Sequence, residues 1–298
     1  MSKVTIYSKA CYKVIGFQQM SEEFIRKLVI DGKSKSTHQN YVRQMAKLAI
    51  HYGRSPLDLS IEELEEYLYF LIQRDTDALS SYKHLVYGLR KLYQLYGKEE
   101  LQLALPRIDR DKKLPVVLSK KEVKLILSTA VHIREKVMFG LTYDTGLRIS
   151  ELANLMIRDA DLDRGLIHVR KGKGKKDRYI PMSALAIRGI KKHIAINSPK
   201  VYLFENLSRR AMPISHTKIR NLLNDIVSMT DIKKNITVHS LRHTYATHQL
   251  EAGQNIMVLK DLLGHSVIET TLIYLQVSQV RAKQKFGCLE VLYGKTNE

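Results

Sequence analysis

The sequence predicts a mainly helical protein in two parts, the second carrying a small β-sheet. Three observations lead there. Apolar residues recur at helical spacing through most of residues 21–97, a charged stretch bracketed by Pro106 and Pro115 then breaks the pattern, and two short β-rich runs flank a glycine-punctuated turn further on. The length, 298 residues, suits two domains at roughly 100–200 residues each.

Taken in order, Ser21-Glu22-Glu23 sets a cap and two acidic residues at a helix start. Tyr41, Met45, Leu48 and Ala49 mark one face of a helix across 36–53. Ser60 and Glu63 form a capping-box pattern ahead of Leu64, Leu68 and Leu71, and Leu85, Leu89, Leu92 and Leu95–Tyr96 give a fourth stripe. These stripes read as core packing, so residues 1–104 are expected to form a compact all-helical domain. From Leu105 to Pro115 the chain is too polar for a core and reads as an extended linker. Its four basic residues either follow a phosphate backbone or are simply solvated. In the remainder, 116–298, Ser119 and Glu122 box a helix running to about Ala130. A longer helix reaches Thr145, with Gly146 placed to end it. Leu166–Arg170 and Arg178–Ile180 are two strands around a turn containing Gly172 and Gly174, and Val201–Phe204 is a candidate third. Helices fill the rest, the last boxed by Ser266 and Glu269 and ending near Tyr274.

Composition narrows the class. Two distant cysteines, Cys11 and Cys288, make neither a zinc pattern nor a disulfide framework, which fits a reducing compartment. Residues 1–12 carry Lys3 and Lys9 and lack an apolar stretch of signal-peptide length, and no run approaches the ~18 apolar residues of a membrane span, so a cytoplasmic protein is expected. The formal charge of +19 is uneven. Residues 1–105 hold 15 Lys/Arg against 12 Asp/Glu, a net +3, and residues 106–298 hold 34 against 18, a net +16. A polyanion partner follows, nucleic acid first and an anionic membrane surface second. The membrane reading lacks a basic amphipathic helix with exposed Phe or Leu.

Candidate chemistry lies in the basic part. Tyr274 stands nine residues after His265, the cluster His239-Ser-Leu-Arg242-His243 lies upstream, and Arg148 and Lys173 come earlier. Together they offer a nucleophilic phenol and several phosphate donors, with no carboxylate cluster to hold a metal. Attack on a phosphodiester without a metal needs fixed cations for the nonbridging oxygens, best supplied by arginine's planar fork, a proton for the leaving oxygen, and a means of taking the proton from a phenol whose pKa is about 10. Arg148 sits at or just before a helix start, where backbone N–H groups already favour an anion, and Glu151 is within reach to orient its guanidinium. His239 and Arg242, three apart, share a helix face, while His243 competes for the role of His239 or packs into the interior, as does His248. A zinc site built on His239, His243 and His265 lacks the Glu that a zinc-protease helix places after its first His. Taken singly, each of these has a plain reading: a helix-end arginine, a loop histidine, a packing tyrosine among 16, a solvated turn at Arg170–Arg178.

Jointly they resemble something specific. Thr145-Gly-Leu-Arg148-Ile-Ser-Glu151-Leu, Gly172-Lys-Gly-Lys-Lys-Asp-Arg178, His239-Ser-Leu-Arg-His-Thr-Tyr-Ala-Thr247, Leu262-Leu-Gly-His265-Ser and Thr271-Leu-Ile-Tyr274 resemble the catalytic domain of the tyrosine recombinase (lambda-type integrase) family. The helices before Leu114-Pro-Val-Val-Leu-Ser119 resemble that family's SAM-like core-binding domain. The resemblance implies a site-specific DNA recombinase that needs no cofactor. Tyr274 is the nucleophile and leaves a 3′-phosphotyrosyl link, Arg148 and Arg242 hold the nonbridging oxygens, and His265 is a further donor. Lys173 is the general acid, with Lys175 and Lys176 as competitors, and His239 is the proton acceptor. Gln276 stands where the family often has His or Thr. The resemblance also implies double-stranded DNA with inverted-repeat core sites as partner, held from both sides, and a tetramer on two sites. The tail after Tyr274, with Val280, Phe286, Leu289 and Leu292 on one face, either packs on its own domain or docks into a neighbouring protomer.

Two other readings stay open: a relaxing enzyme of the type IB topoisomerase kind, and a DNA-binding protein with a silent site. Among recombinase roles, integration of a mobile element is preferred to cassette exchange, inversion or dimer resolution. The short amino-terminal stretch leaves little room for a separate arm-site DNA-binding domain, which favours simple core sites.

Overall fold

The computed structural model describes residues 5–74, 78–108, 114–170 and 177–278. The chain divides into two compact units, Met1–Asp111 and Lys112–Glu298. In the first, the described residues form helices α1 (Ile6–Lys13), α2 (Phe17–Ile30), α3 (Lys35–Tyr52), α4 (Ile61–Arg74), α5 (Ala78–Leu95) and α6 (Glu99–Ala104). Met45, Leu48 and Ala49 of α3, Leu64 and Leu68 of α4, and Leu85, Leu89 and Leu92 of α5 meet Phe17, Phe24 and Leu28 of α2 in one buried cluster. Helical periodicity therefore does what it should and turns each apolar stripe inward. Ser60 and Glu63 form the reciprocal cap, with Ser60 N donating to Glu63 Oε2 at 2.9 Å and Glu63 N to Ser60 Oγ at 3.3 Å.

Two features of this unit depart from the sequence reading. Helix α2 begins at Phe17, so that Phe17 and Met20 can join the buried face. Ser21 therefore lies inside the helix, and its hydroxyl donates to Gln18 O at 2.9 Å instead of capping. Leu105 is buried in the same core, and Arg90 donates to Pro106 O at 3.0 Å, so the charged stretch starts as packed chain. Its residues 109–113 lie outside the described residues.

The second unit holds α7 (Lys120–Thr129), α8 (Ile133–Thr145), α9 (Ile149–Ala153), α10 (Ala184–Asn197), α11 (His216–Ser228), α12 (Val238–Glu251), α13 (Ile256–Leu263) and α14 (Glu269–Val277). Strands β1 (Ala160–Asp161), β2 (Leu166–Val169) and β3 (Arg178–Pro181) form an antiparallel sheet in that order, and β4 (Glu205–Asn206) pairs with β5 (Arg209–Pro213). In the sheet Ile167 pairs with Ile180 and Val169 with Arg178, and Ile167, Val169 and Ile180 face the core. Helix α8 packs on α10 and α12, and its Met138, Phe139 and Leu141 are fully or almost fully buried. Ser119 and Glu122 form the expected box, with Ser119 N donating to Glu122 Oε2 at 2.6 Å.

Val201–Phe204 is not a strand. Leu203 and Phe204 are buried in the core, Leu203 N donates to Leu155 O at 2.7 Å, and Tyr202 makes only a lone bridge to Met156. An apolar run of four is satisfied equally by burial in an irregular path. Helix α14 also starts without a side-chain cap, from Ile268, because Ser266 lies two positions too early to serve. No helix among the described residues is long and apolar enough to cross a membrane. Residues 171–176, with Lys173, Lys175 and Lys176, and the tail from 279 onward lie outside the described residues.

Gly146 ends α8 as expected, in the left-handed region (φ 64°). A Cβ there would stand 2.4 Å from Cδ1 of Tyr245, itself buried on α12. Gly146→Ala is expected to lower the stability of this unit by about 2–4 kcal/mol, combining left-handed strain with overpacking. Thermal unfolding of the variant measures it.

Candidate active site

The site forms where α8, α12 and α13 end or pass. Helix α12 is capped by Thr237, whose Oγ1 accepts from Ser240 N at 3.2 Å, and it buries residues on almost every side, including Val238, Leu241, Thr244, Tyr245 and Ala246. A helix so enclosed places any polar side chain it carries inside the protein. Arg242 is that side chain, 1% exposed.

A buried guanidinium demands acceptors. Arg242 Nη1 donates to Gly146 O at 2.5 Å, at the end of α8, and Nη2 donates to Leu263 O at 2.7 Å, at the end of α13. Arg148, just before α9, donates from Nη2 to Gly264 O at 3.0 Å. Arg178, on β3, donates from Nε to Leu262 O at 2.8 Å. Three consecutive carbonyls at the C-terminus of α13 thus hold three different arginines. The negative end of a helix dipole favours cations there. Gly264 makes the approach possible, with φ 63° and a position where a Cβ would lie 3.0 Å from Arg178 Nη1.

Glu151 ties the arginines together. Its Oε1 accepts from Arg148 Nη1 at 2.9 Å and Arg178 Nη1 at 3.0 Å. Its Oε2 accepts from Arg178 Nη2 and Arg148 N, each at 2.8 Å, and lies 3.9 Å from Arg242 Nη1. The Arg178 contact is a two-pronged fork. Burial alone would raise the Glu151 pKa. The hydrogen bonds and charge of Arg178, then those of Arg148, outweigh it and hold the carboxyl at about 2. Burial and the charge of Arg148 push Arg242 down to about 10, which leaves it charged at neutral pH.

Tyr274, on α14, is 2% exposed, and its hydroxyl lies 3.1 Å from His243 Nδ1. Burial raises the phenol's pKa, while the charges of Arg242 and then Arg148 pull it down. The net shift is upward, so the phenol is protonated at neutral pH. Burial, His239 and Arg242 together drive His243 down to about 4, so its imidazole is neutral. The His239 ring stands 4.3 Å from that of His243, edge to face. Solvent reaches His239. Desolvation, then Arg242 and Arg148, lower its pKa as well. His265 Nε2 lies 3.1 Å from Arg242 Nη2 and Nδ1 lies 2.9 Å from Thr271 Oγ1. A guanidinium only donates, so Nε2 is the acceptor and the ring proton is on Nδ1.

Arg148, Glu151, Arg242, His265 and Tyr274 are therefore gathered in one place, with His239 at the edge. Of the two histidines, it is His243, not His239, that shares a hydrogen bond with the phenol. Arg178 had no assigned role in the sequence reading. Nothing in a strand's alternation marks a basic residue as a carboxylate partner, whereas His243, one residue after Arg242 and four after His239, does carry a positional hint. Lys173 lies outside the described residues, and the residues that flank 171–176 are held by polar side-chain contacts. Arg170 Nε donates to Asp159 Oδ1 at 2.5 Å, and His168 Nε2 lies 3.1 Å from Asp177 Oδ2. A cleft of about 680 Å³ adjoins, lined by Arg148, Ser150, Asn154, Asp159, His168 and Arg170. Among the described residues no three His, Cys, Asp or Glu side chains gather so as to hold a metal ion.

Known proteins resemble this chain. The sequence profile of the phage integrase family matches residues 116–281, and that of the phage integrase N-terminal SAM-like domain matches residues 20–103. A tyrosine recombinase XerA of Pyrococcus horikoshii is 35% identical over 284 residues, covering 92% of this chain and 95% of that protein. A tyrosine recombinase of Thermosipho africanus is 31% identical over 273 residues, covering 87% and 94%. Among solved structures, XerH site-specific recombinase bound to a palindromic difH substrate, a post-cleavage complex, shares the fold with a TM-score of 0.70 at 17% identity, covering 96% of this chain and 87% of that one.

The Glu151 network makes a pH-dependent contribution. A carboxyl held at about 2 when folded, against about 4.3 unfolded, stabilises the protein above pH 4.3 by about 3 kcal/mol, and that term is lost as pH falls towards 2. Wild type is expected to exceed Glu151→Gln in thermal stability at pH 7, with the gap closing between pH 4 and 2. A gap that stays constant with pH overturns the assignment.

Proposed function

The chain belongs to the phage integrase family and is a tyrosine site-specific recombinase, mainly helical with a SAM-like amino-terminal domain, and we propose that Tyr274 is its nucleophile. The observation that carries this reading is the buried phenol beside Arg242 and Arg148, whose charges both act on it. On this reading the scissile phosphate takes its place against Arg148 and Arg242, whose forks neutralise charge that builds on the nonbridging oxygens. Tyr274 Oη attacks phosphorus, the 5′ oxygen leaves, and a 3′-phosphotyrosyl link results. Because that link retains the energy of the broken bond, a 5′ hydroxyl from another strand reseals it. Lys173 is the proposed donor to the leaving oxygen. The proton of Tyr274 passes to His239, which the resemblance makes the acceptor, or to His243, whose Nδ1 lies 3.1 Å from the hydroxyl. His265 donates to the phosphate after exchanging its present acceptor role towards Arg242.

The partner is proposed to be double-stranded DNA carrying inverted core sites, with a tetramer bringing two sites together in the cytoplasm. The net +16 of residues 106–298 supports the first part. Affinity for DNA should then fall steeply with salt. A relaxing enzyme or a silent DNA-binding protein is not favoured, since the relatives are recombinases. For the biological role we propose integration of a mobile element, which inverted half-sites at both ends of an inserted segment around the gene would identify. The two domains are proposed to divide near residues 105–115, and the tail after Tyr274 to dock into a neighbouring protomer.

Tyr274→Phe is expected to bind DNA and form no covalent adduct on a nicked suicide duplex. Adducts from that variant would move the nucleophile elsewhere. Arg148→Ala should lose about 2.7–4 kcal/mol of barrier lowering, read as cleavage roughly 10²–10³-fold slower. Removal of residues 280–298 is expected to leave DNA binding and abolish recombination between two matched sites. Full recombination by the shortened chain would reject the docking role.

A further inference from the structure

We infer that His243 is the base that takes the proton of Tyr274, and that His239 supports it from behind. This deepens the reading above and rests on Tyr274 as the nucleophile. The geometric case is direct. His243 Nδ1 is 3.1 Å from the phenol oxygen, within the reach a general base needs. The His243 and Tyr274 rings are 5.5 Å apart and tilted by 54°. Helix α12 fixes this arrangement from the other side, since Arg242 beside it is clamped to Gly146 O and Leu263 O. A base one residue along the helix from a side chain anchored at both ends has little freedom to drift.

The surroundings give His243 the right protonation state. The groups facing it are His239 and Arg242 on its own helix and Tyr274 on α14. Burial is the largest cause, and the electrostatic influence of His239 and Arg242 adds to it, which holds the imidazole neutral at physiological pH. A bound phosphate brings negative charge against the same arginines and relieves that pressure, so the base strengthens when substrate arrives. In the step itself the Oη–H bond breaks and its proton passes to Nδ1, while the phenol's electron pair forms the Oη–P bond. The P–O5′ bond breaks with its pair on O5′, which takes a proton from the general acid. His243 therefore enters the step with its own proton on Nε2 and leaves it as imidazolium. His239, 4.3 Å away ring to ring and open to solvent, is a positioning residue on this assignment, not the acceptor.

The test uses the full chain on a nicked suicide duplex bearing the sequence the protein selects from a random pool. His243→Asn keeps a polar atom near the position of Nδ1 but cannot take a proton. It is expected to bind this duplex normally and cleave it roughly 10²–10⁴-fold more slowly. Its rate should rise about tenfold per pH unit below the phenol pKa, as the phenolate fraction does, where wild type is flat from pH 6 to 9. The loss should persist when the leaving oxygen is replaced by sulfur, which removes the need for a general acid. A ring-fluorinated tyrosine at 274, a more acidic phenol, should recover part of it. His243→Ala, with folding checked by thermal unfolding, should behave alike. Cleavage by His243→Asn within about threefold of wild type overturns the assignment and leaves His243 a positioning group. So does full rescue by the sulfur substrate, or the same pH signature in His239→Asn with none in His243→Asn. Failure of the nucleophile reading is distinct, since only that failure lets Tyr274→Phe form adducts.

Discussion

Three guanidinium groups crowded into one buried region repel one another, and the rest of the site depends on how that repulsion is balanced. Glu151 supplies the countercharge, accepting from Arg148 and Arg178 and lying 3.9 Å from Arg242. One carboxylate does not neutralise three cations. The remaining balance comes from dipoles, the carbonyls of Gly146, Leu262, Leu263 and Gly264. Charges fixed in this way need not reorganise when negative charge develops between them, and fixed, partly desolvated cations stabilise a transition state far more than mobile ones in water. The same arrangement sets three guanidinium groups against one carboxylate, that of Glu151. Its cations are compensated only in part.

Tyr274, the proposed nucleophile, sits under opposing influences. Burial disfavours the phenolate, two arginines favour it, and burial prevails. The phenol therefore stays protonated at neutral pH and is a poor nucleophile without a proton acceptor. On the proposed mechanism chemistry is thereby tied to geometry, since attack needs both a phosphate seated against the arginines and a neutral imidazole at the hydroxyl.

Much of this was legible in the chain itself. The apolar stripes around Met45, Leu68 and Leu89, the caps at Ser60 and Ser119, and Gly146 at the end of α8 all rest on local rules, and local rules survive tertiary context when they agree with burial. The failures share a cause. Ser21 and Ser266 match a cap pattern, but α2 starts earlier, at the buried Phe17, and α14 starts later, from Ile268 with no side-chain cap. Val201–Phe204 carries strand-like residues whose burial needs no ladder. In the site, Arg148, Arg242, His265 and Tyr274 were legible only jointly, as motifs in order, since each alone has an ordinary explanation. Arg178 and the partnership of His243 with Tyr274 were not legible, because they are relations between elements far apart in sequence. A separation of 27 positions between Glu151 and Arg178 says nothing of a fork between them.

Leu262, Leu263 and Gly264 act on the arginines with oxygen atoms that every amino acid possesses. Exchanging the leucine side chains deletes none of these acceptors, and what holds the guanidinium groups is the path of the peptide chain. A survey that truncates one side chain at a time would score this stretch as dispensable to charge placement, although ester replacement of an individual amide would weaken the acceptor of one arginine and a one-residue insertion at the turn would displace all three cations together.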